Sequence, residues 1–77
     1  MEDRRPQDIA AERFERSAEE LEMAARHLRV AGKHMRDREV PRACAHAFAA
    51  RGHMITASRL MDENAVLHAS KSVAAGD

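Results

Sequence analysis

Apolar residues recur along residues 8–36 with the period of one long amphipathic helix. The largest of them come at intervals of seven: Phe14, Leu21, Leu28 and Met35. A row of small residues lies three or four positions from them: Ala11, Ala18, Ala25 and Gly32. Alternating steps of three and four are typical of the seam between two packed helices. We therefore expect these two rows to face a second helix.

The stretch from Pro41 to about Val73 is predicted to form that second helix, and apolar residues cover more than half of its circumference. Four rows contribute: Ala43, Ala50 and Ala57; Ala47, Met54, Met61 and His68; His46, His53, Leu60 and Leu67; and Phe48, Ile55, Val66 and Val73. A helix with one neighbour carries a narrower apolar stripe, and a helix that is apolar on most sides is buried on several. The pattern therefore indicates more than one neighbour.

A turn is predicted near residues 37–40. Pro41 disfavours helical geometry at the preceding residue and is well tolerated as the first residue of a helix. Gly32 offers an earlier C-cap for the first helix. The sequence leaves the choice between Gly32 and Arg36 open, although the apolar period continues beyond the glycine. A short connection between two long helices favours antiparallel packing.

Together these elements predict a single all-α domain, an antiparallel hairpin of two long helices over residues 8–73. Either Asp8 as N-cap or Pro6 as the first helical residue would start the first helix. Residues 1–7 and 74–77 are polar or small and are predicted to be flexible ends.

The shortness of the chain points to self-association. Chains of about this length, 77 residues, often rely on disulfides, a metal or partner subunits for stability, and a single cysteine, Cys44, excludes an internal disulfide. We expect two hairpins to dimerise into a four-helix bundle. The residues expected at the interface are Phe48, Met54, Ile55, Leu60, Met61, Val66 and Leu67. The alternatives are a monomer with a loosely covered flank and a different protein as the covering partner.

Charge is unevenly distributed, although the formal net charge is zero. Residues 1–22 carry eight acidic and four basic residues, and residues 23–42 carry six basic and two acidic residues. Acids near the start of a helix and bases near its end complement the helix macrodipole, and they also favour antiparallel contact between copies. Alternatively, the basic end forms a tip that binds an acidic protein partner or a phosphate. Nucleic-acid binding is disfavoured, because the chain has no net positive charge and no DNA-binding spacing.

Four of the five histidines lie near the predicted turn, in pairs seven residues apart: His27 and His34, and His46 and His53. If the hairpin folds at about residue 40, His34 lies opposite His46, and His27 lies opposite His53. Imidazole binds copper, zinc and nickel. The four histidines are therefore candidate metal ligands, with Cys44 as an additional soft ligand.

Several features oppose a metal centre. Histidines seven positions apart on one helix are about 10 Å apart along its axis, and each pair across the hairpin supplies two ligands where a closed zinc site needs four. Acids that could orient the rings are scarce, Asp37 after His34 being the exception. The alternatives are ordinary boundary and basic-tip positions for these histidines, or a pH-responsive contact between them.

The chain lacks the residue arrangements that catalysis requires. Cys44 could carry a reactive thiol at the start of the second helix, but no base and oxyanion site converge on it. The motifs Glu-x-x-His and His-Glu-x-x-His are absent. His68 is expected to be structural, with Glu12 as a candidate partner across the hairpin.

We therefore expect a non-enzymatic interaction or regulatory protein that has a basic, histidine-rich tip and needs no cofactor. The alternative is a protein that binds copper, zinc or nickel through that tip. A lone cysteine, together with the lack of a signal peptide and of a membrane-spanning apolar run, favours the cytoplasm.

Overall fold

Two long α-helices pack side by side and run in opposite directions. A computed structural model describes residues 4–72 and residue 74. The helices are α1, Pro6–Arg36, and α2, Val40–Lys71. The predicted positions that lie outside the described residues are Val73 and the segments 1–3 and 75–77. The all-α fold of two helices packed against each other is therefore confirmed, and the smallest dimension of the hairpin, 13 Å, is that of one helix layer.

The helix ends differ slightly from the predicted ones. Helix α1 starts at Pro6, the second of the two predicted starts, because proline lacks the N–H group that has no partner in the first turn. It continues past Gly32, so that glycine is not its C-cap. Helix α2 starts one residue before Pro41, which lies in its first turn.

Three residues, Asp37, Arg38 and Glu39, connect the helices. The Glu39 N–H donates to the His34 carbonyl oxygen at 2.8 Å, and the Arg38 N–H donates to the Met35 carbonyl oxygen at 3.1 Å. These two bonds close α1 as a Schellman motif, in which one residue adopts left-handed geometry. Arg38 occupies that position with a φ of 64°, where glycine is the usual residue. The connection is therefore short and held by its own backbone, with strain at one residue.

Small residues fill the contact between the two helices. The buried apolar side chains are Ala24, Ala31, Ala43, Ala50, Ala57 and Leu60, and Ser17 and Asn64 are buried beside them. We call two rows the alanine seam: Ala10, Ser17, Ala24 and Ala31 of α1, and Ala43, Ala50, Ala57 and Asn64 of α2. Alanine lets two helix backbones approach closely, but each alanine buries little apolar surface. In the described part of the chain no large side chain is fully buried.

Hydrogen bonds across the hairpin hold the end of the seam that is far from the turn. Asn64 Nδ2 donates to the carbonyl oxygen of Ala10 at 3.0 Å, and the Arg13 guanidinium donates to Asn64 Oδ1 at 3.3 Å. Arg13 also pairs with Glu63, with 3.1 Å between Nε and Oε2. Ser17 Oγ lies 2.7 Å from the Arg13 carbonyl oxygen and 3.4 Å from a carbonyl oxygen of α2. These polar residues are therefore satisfied largely by the facing helix.

The prediction that large residues of α1 form the seam is wrong. Phe14, Leu21, Leu28 and Met35 are between 45% and 58% exposed. Each comes four positions after a seam residue, and so lies to one side of the contact.

The row Ala47, Met54, Met61 and His68 has the same offset in α2. A shallow cavity lined by both Phe14 and His68 places the two rows on one side of the hairpin. We call these eight residues the apolar face.

Polar partners explain why α1 turns its small residues inward. Four long polar side chains follow seam residues of α1 by three positions: Arg13, Glu20, His27 and His34. In the observed rotation all four find partners on α2 or on the residue that precedes it. Rotating α1 to bury Leu21 and Leu28 would break these bonds and move the Ala10 carbonyl oxygen away from the buried Asn64 side chain, and an unpaired buried polar group costs about 1–3 kcal/mol. The sequence pattern alone did not show that these partners exist.

The residues predicted to form an interface on α2 fall into two groups. Leu60 is buried and Leu67 is half-buried, both in the contact with α1. The other five are exposed: Phe48, Met54, Ile55, Met61 and Val66. Phe48 is the most exposed of them, at 79%. Shallow cavities lined by Phe48 with Ala47, and by Ile55 with Met54, place both residues at the border of the apolar face.

Replacing Arg38 by glycine should stabilise the hairpin by about 1 kcal/mol, because left-handed geometry costs a residue with a Cβ roughly that much. Urea unfolding at fixed protein concentration measures the change. Asp37→Gly is the matched control, since Asp37 has a φ of −82° and glycine there should only lower the free energy of unfolding. Equal destabilisation by both substitutions would contradict the described turn.

Candidate functional site, a histidine ladder

Four imidazole rings lie along one edge of the alanine seam. Each follows a seam residue by three positions: His27 follows Ala24, His34 follows Ala31, His46 follows Ala43 and His53 follows Ala50. Residues three positions after a seam residue lie on one side of the seam, and residues four positions after it lie on the other side. The rings therefore lie away from the apolar face. We call these four histidines, together with Glu20 and Glu39, the histidine ladder.

The rings contact one another in a zigzag between the helices. His34 and His46 stack with 5.5 Å between ring centroids and 19° between planes. His27 and His53 stack at 5.5 Å and 15°, so both pairings follow the register predicted from the sequence. His27 also contacts His46, with 5.2 Å between centroids. This last contact joins the two stacks into one continuous row.

A hydrogen bond between two imidazoles joins the centre of the ladder. The Nδ1 atoms of His27 and His46 are 2.9 Å apart. This distance requires a proton on one Nδ1 and a lone pair on the other. The two rings therefore have different protonation patterns, one donating through Nδ1 and the other accepting through it.

A carboxylate closes each end of the ladder. His53 Nδ1 donates to Glu20 Oε2 at 2.6 Å across the hairpin. His34 Nδ1 lies 3.4 Å from Oε1 of Glu39, which also pairs with Arg42 at 3.1 Å. A carboxylate on Nδ1 fixes the orientation and the tautomer of an imidazole. Glu20 and Glu39 therefore hold the two end rings of the ladder in place.

Both carboxylates were missed by the sequence analysis, which looked for acids on the same helix turn and found Asp37 beside His34. Glu20 stands seven residues before His27. His53 stands seven residues after His46, which contacts His27. Because the helices are antiparallel, moving seven residues back along α1 and seven residues forward along α2 leads from the His27–His46 pair to the Glu20–His53 pair. The heptad register contained that signal. The Glu39 contact depends on the geometry of the turn, which the sequence does not specify.

The ladder offers a metal ion fewer ligands than a closed centre needs. No group of three or more His, Cys, Asp or Glu side chains is arranged to hold an ion in the described residues. His27 and His46 supply two convergent nitrogens. Cys44 is exposed and lines a cavity with Ala47 and Phe48, on the side of the apolar face. Cys44 therefore does not extend the ladder.

His68, the fifth histidine, lies at the opposite end of the hairpin from the ladder. It is exposed and lines a shallow cavity with Phe14 and Leu67. Its candidate partner from the sequence, Glu12, pairs with Arg4 instead. The expected bond between His68 and Glu12 is therefore not formed, and His68 serves as a reference histidine outside the ladder.

Comparisons with protein-family models, with curated proteins and with solved structures give no match to this chain. In the part of the chain that the structure describes, neither helix is long and apolar enough to cross a membrane. The arguments for function therefore rest on two features of the hairpin, the histidine ladder and the apolar face.

Nitrogen NMR of the histidine rings at pH 8 should distinguish His27 from His46. We expect one of them to carry its proton on Nδ1 and the other to have an unprotonated Nδ1, because the two nitrogens share one hydrogen bond. His53 should carry a proton on Nδ1, facing Glu20. His68 is the internal control and should give the averaged signals of an exposed ring. Protonation of Nδ1 on both His27 and His46, or on neither, would contradict the ladder geometry.

Proposed function

We propose that this chain is a small non-enzymatic interaction protein that works as a homodimer. In the dimer the apolar face of one hairpin packs on that of a second copy and forms a four-helix bundle. The observation that supports this proposal is the exposure of large apolar side chains along one side of both helices. Such exposure is typical of a helix pair that packs against a second helix pair.

The interior of one hairpin is too small to stabilise it strongly. Its buried apolar residues are five alanines and Leu60. Half-exposed leucine, methionine and phenylalanine side chains each gain roughly 1 kcal/mol when their remaining surface is buried. Six such residues on each hairpin belong to the apolar face: Phe14, Leu21, Leu28, Met35, Met54 and Met61. Two copies would therefore gain a sum of about the whole stability of a small domain.

The proposal of a non-enzymatic role rests on how the reactive groups are distributed. The ladder residues form a row between two helices rather than lining a closed pocket. Cys44 lies on the side of the apolar face, apart from the ladder histidines that could serve as its base. Nucleophilic catalysis needs a nucleophile, a base and an oxyanion site around one reacting atom. A proposed cytoplasmic location agrees with an exposed, unpaired thiol.

The turn end and the ladder are the surfaces we propose for binding an acidic protein partner. Arg38 and Arg42 are exposed around the turn. The ladder lies on the side of the seam away from the apolar face, so dimerisation leaves it accessible. Positive charge at such a surface speeds encounter with acidic partners and selects against basic ones.

Sedimentation equilibrium tests the homodimer. The wild-type chain of 8.6 kDa should sediment with the mass of two chains, whereas Leu21→Glu should shift it to a single chain, because a carboxylate would be buried in the apolar interface. Val30→Glu is the matched control, since Val30 is also partly exposed but lies away from the apolar face. A folded wild-type monomer, or equal effects of the two substitutions, would contradict the proposal.

We propose transition-metal binding as the second candidate function, and the His27–His46 pair favours it. Two nitrogens that bind one ion tetrahedrally at about 2.0–2.1 Å lie about 3.3 Å apart. The Nδ1 atoms are 2.9 Å apart, so a small movement of the rings would admit an ion. Water or an external ligand would complete the coordination of copper, zinc or nickel.

Titration of the chelator-treated protein with Cu²⁺, Zn²⁺ and Ni²⁺ separately, followed by native mass spectrometry, tests this second function. One ion per chain is expected with at least one metal. His46→Gln should abolish binding and His68→Gln should preserve it, because the His46 Nδ1 converges with the His27 Nδ1 and His68 lies at the other end of the hairpin. Failure of all three metals to bind, or equal loss in both variants, would remove the metal hypothesis.

A further inference from the structure

We infer that the two copies pair antiparallel through α1, with the two-fold axis passing beside Ala25 and with α2 packed on α2 of the second copy. This inference rests on the proposed homodimer and adds its orientation and register. The apolar face supplies the buried surface, and the charged residues at its edge decide how the second copy is oriented.

The outer edge of the apolar face on α1 carries charged residues, and the sign of their charge changes halfway along the helix. Four residues directly follow the large apolar residues of α1: Glu15, Glu22, Arg29 and Arg36. All four are exposed, and none of them forms an ion pair with another part of the chain between residues 4 and 72. The edge is therefore acidic toward the start of α1 and basic toward its end, and its charges are available to a second copy.

An antiparallel second copy satisfies this edge. With the two-fold axis beside Ala25, Glu22 meets Arg29 of the second copy, and Glu15 meets Arg36 of the second copy. By symmetry each pair forms twice. The midpoint of each charge pair along the sequence lies within one residue of Ala25. Exposed pairs of opposite charge fix the register and orientation of two helices more than they add to the affinity.

The apolar and small residues are compatible with the same centre, because each charged residue of the edge directly follows a large apolar one. Pairing Leu21 with Leu28 of the second copy, and Phe14 with Met35 of the second copy, is also centred within one residue of Ala25. Ala25 then meets Ala25 of the second copy. The row of small residues beside the apolar face would let the two α1 helices approach closely.

A shallow groove near the end of α1 has the shape that this pairing requires. Leu28 and Gly32 line it together with Arg29, Lys33, Arg36 and Asp37. Apart from the adjoining backbone of α1, nothing in the described residues lies within 4 Å of a Cβ placed on Gly32, so the surface above the glycine is open. The antiparallel copy brings Ala18 over Gly32, and its Glu15 and Glu22 to the basic rim.

Two other arrangements either bring like charges together or leave charges of the edge unmatched. Parallel pairing of α1 with α1 places Glu22 against Glu22 and Arg29 against Arg29. Packing α1 on α2 of the second copy, at the register of the hairpin itself, in which Ala10 lies opposite Asn64 and His27 opposite His46, leaves Arg29 opposite the uncharged residues around Ala45. Only the antiparallel α1 contact matches every charge of the edge with its opposite.

Disulfide trapping in a Cys44→Ser background tests the register. A disulfide needs Cα atoms about 4.4–6.8 Å apart. Ala25→Cys should therefore link to itself in the second copy, whereas Ala18→Cys and Gly32→Cys should each fail alone and link when the two variants are mixed. If all three link alone, the helices pair in parallel and the inference is wrong. If none links alone or in a mixture, α1 does not pack on α1 and the inference is also wrong.

Charge reversal gives a second readout that does not depend on disulfide geometry. Glu15→Arg with Glu22→Arg should weaken the homodimer about tenfold, and Arg29→Glu with Arg36→Glu should do the same. Mixing these two variants should restore a dimer, because every edge pair is again opposite in sign. Reversal of the charges of Glu12 and Glu19 is the control. These two residues lie one row farther around α1 from the apolar face, so their reversal should change the affinity less.

The mass of the Cys44→Ser chain separates failure of this inference from failure of the proposed function. If that chain is a dimer but the trapping pattern is not the expected one, self-association stands and the register falls. If it is a folded monomer at micromolar concentration, the proposed function and the register fall together.

Discussion

Close packing of two helices through alanine is the constraint on which the rest of this structure depends. The seam brings the backbones of α1 and α2 together, yet its buried apolar side chains are five alanines and one leucine. Burial of a methyl group contributes far less than burial of a leucine or phenylalanine side chain. Polar bonds from Arg13, Ser17 and Asn64 fix the register but add little net stability. The hairpin is thus well defined in geometry and weak in stabilisation.

The seam also divides the hairpin into two sides with different chemistry. A step of four from each seam residue leads to the apolar face, and a step of three leads to a polar row that includes the histidine ladder. The ladder is satisfied within one chain, because its rings bond to one another and to Glu20 and Glu39. The large residues of the apolar face remain about half exposed among residues 4–72. Assembly and site chemistry can therefore coexist on one small protein.

The sequence predicted the two helices and the short turn, because Pro41 and the long apolar periods leave few alternatives. It also predicted the opposition of His34 with His46 and of His27 with His53. It failed in choosing which heptad row of α1 faces α2, since several rows have the same period and the largest residues seemed the natural core. The correct choice depends on pairs such as Glu20 with His53, which exist only when both helices are in place.

If the proposed second copy supplies most of the stability of the hairpin, the melting temperature should depend on protein concentration, because mass action favours the folded dimer. Thermal unfolding followed by far-ultraviolet circular dichroism, over a range of about a hundredfold in protein concentration, measures this directly. The account predicts that the midpoint rises steadily with concentration and that helix content falls at the lowest concentrations. A midpoint independent of concentration, with full helix content throughout, would contradict it.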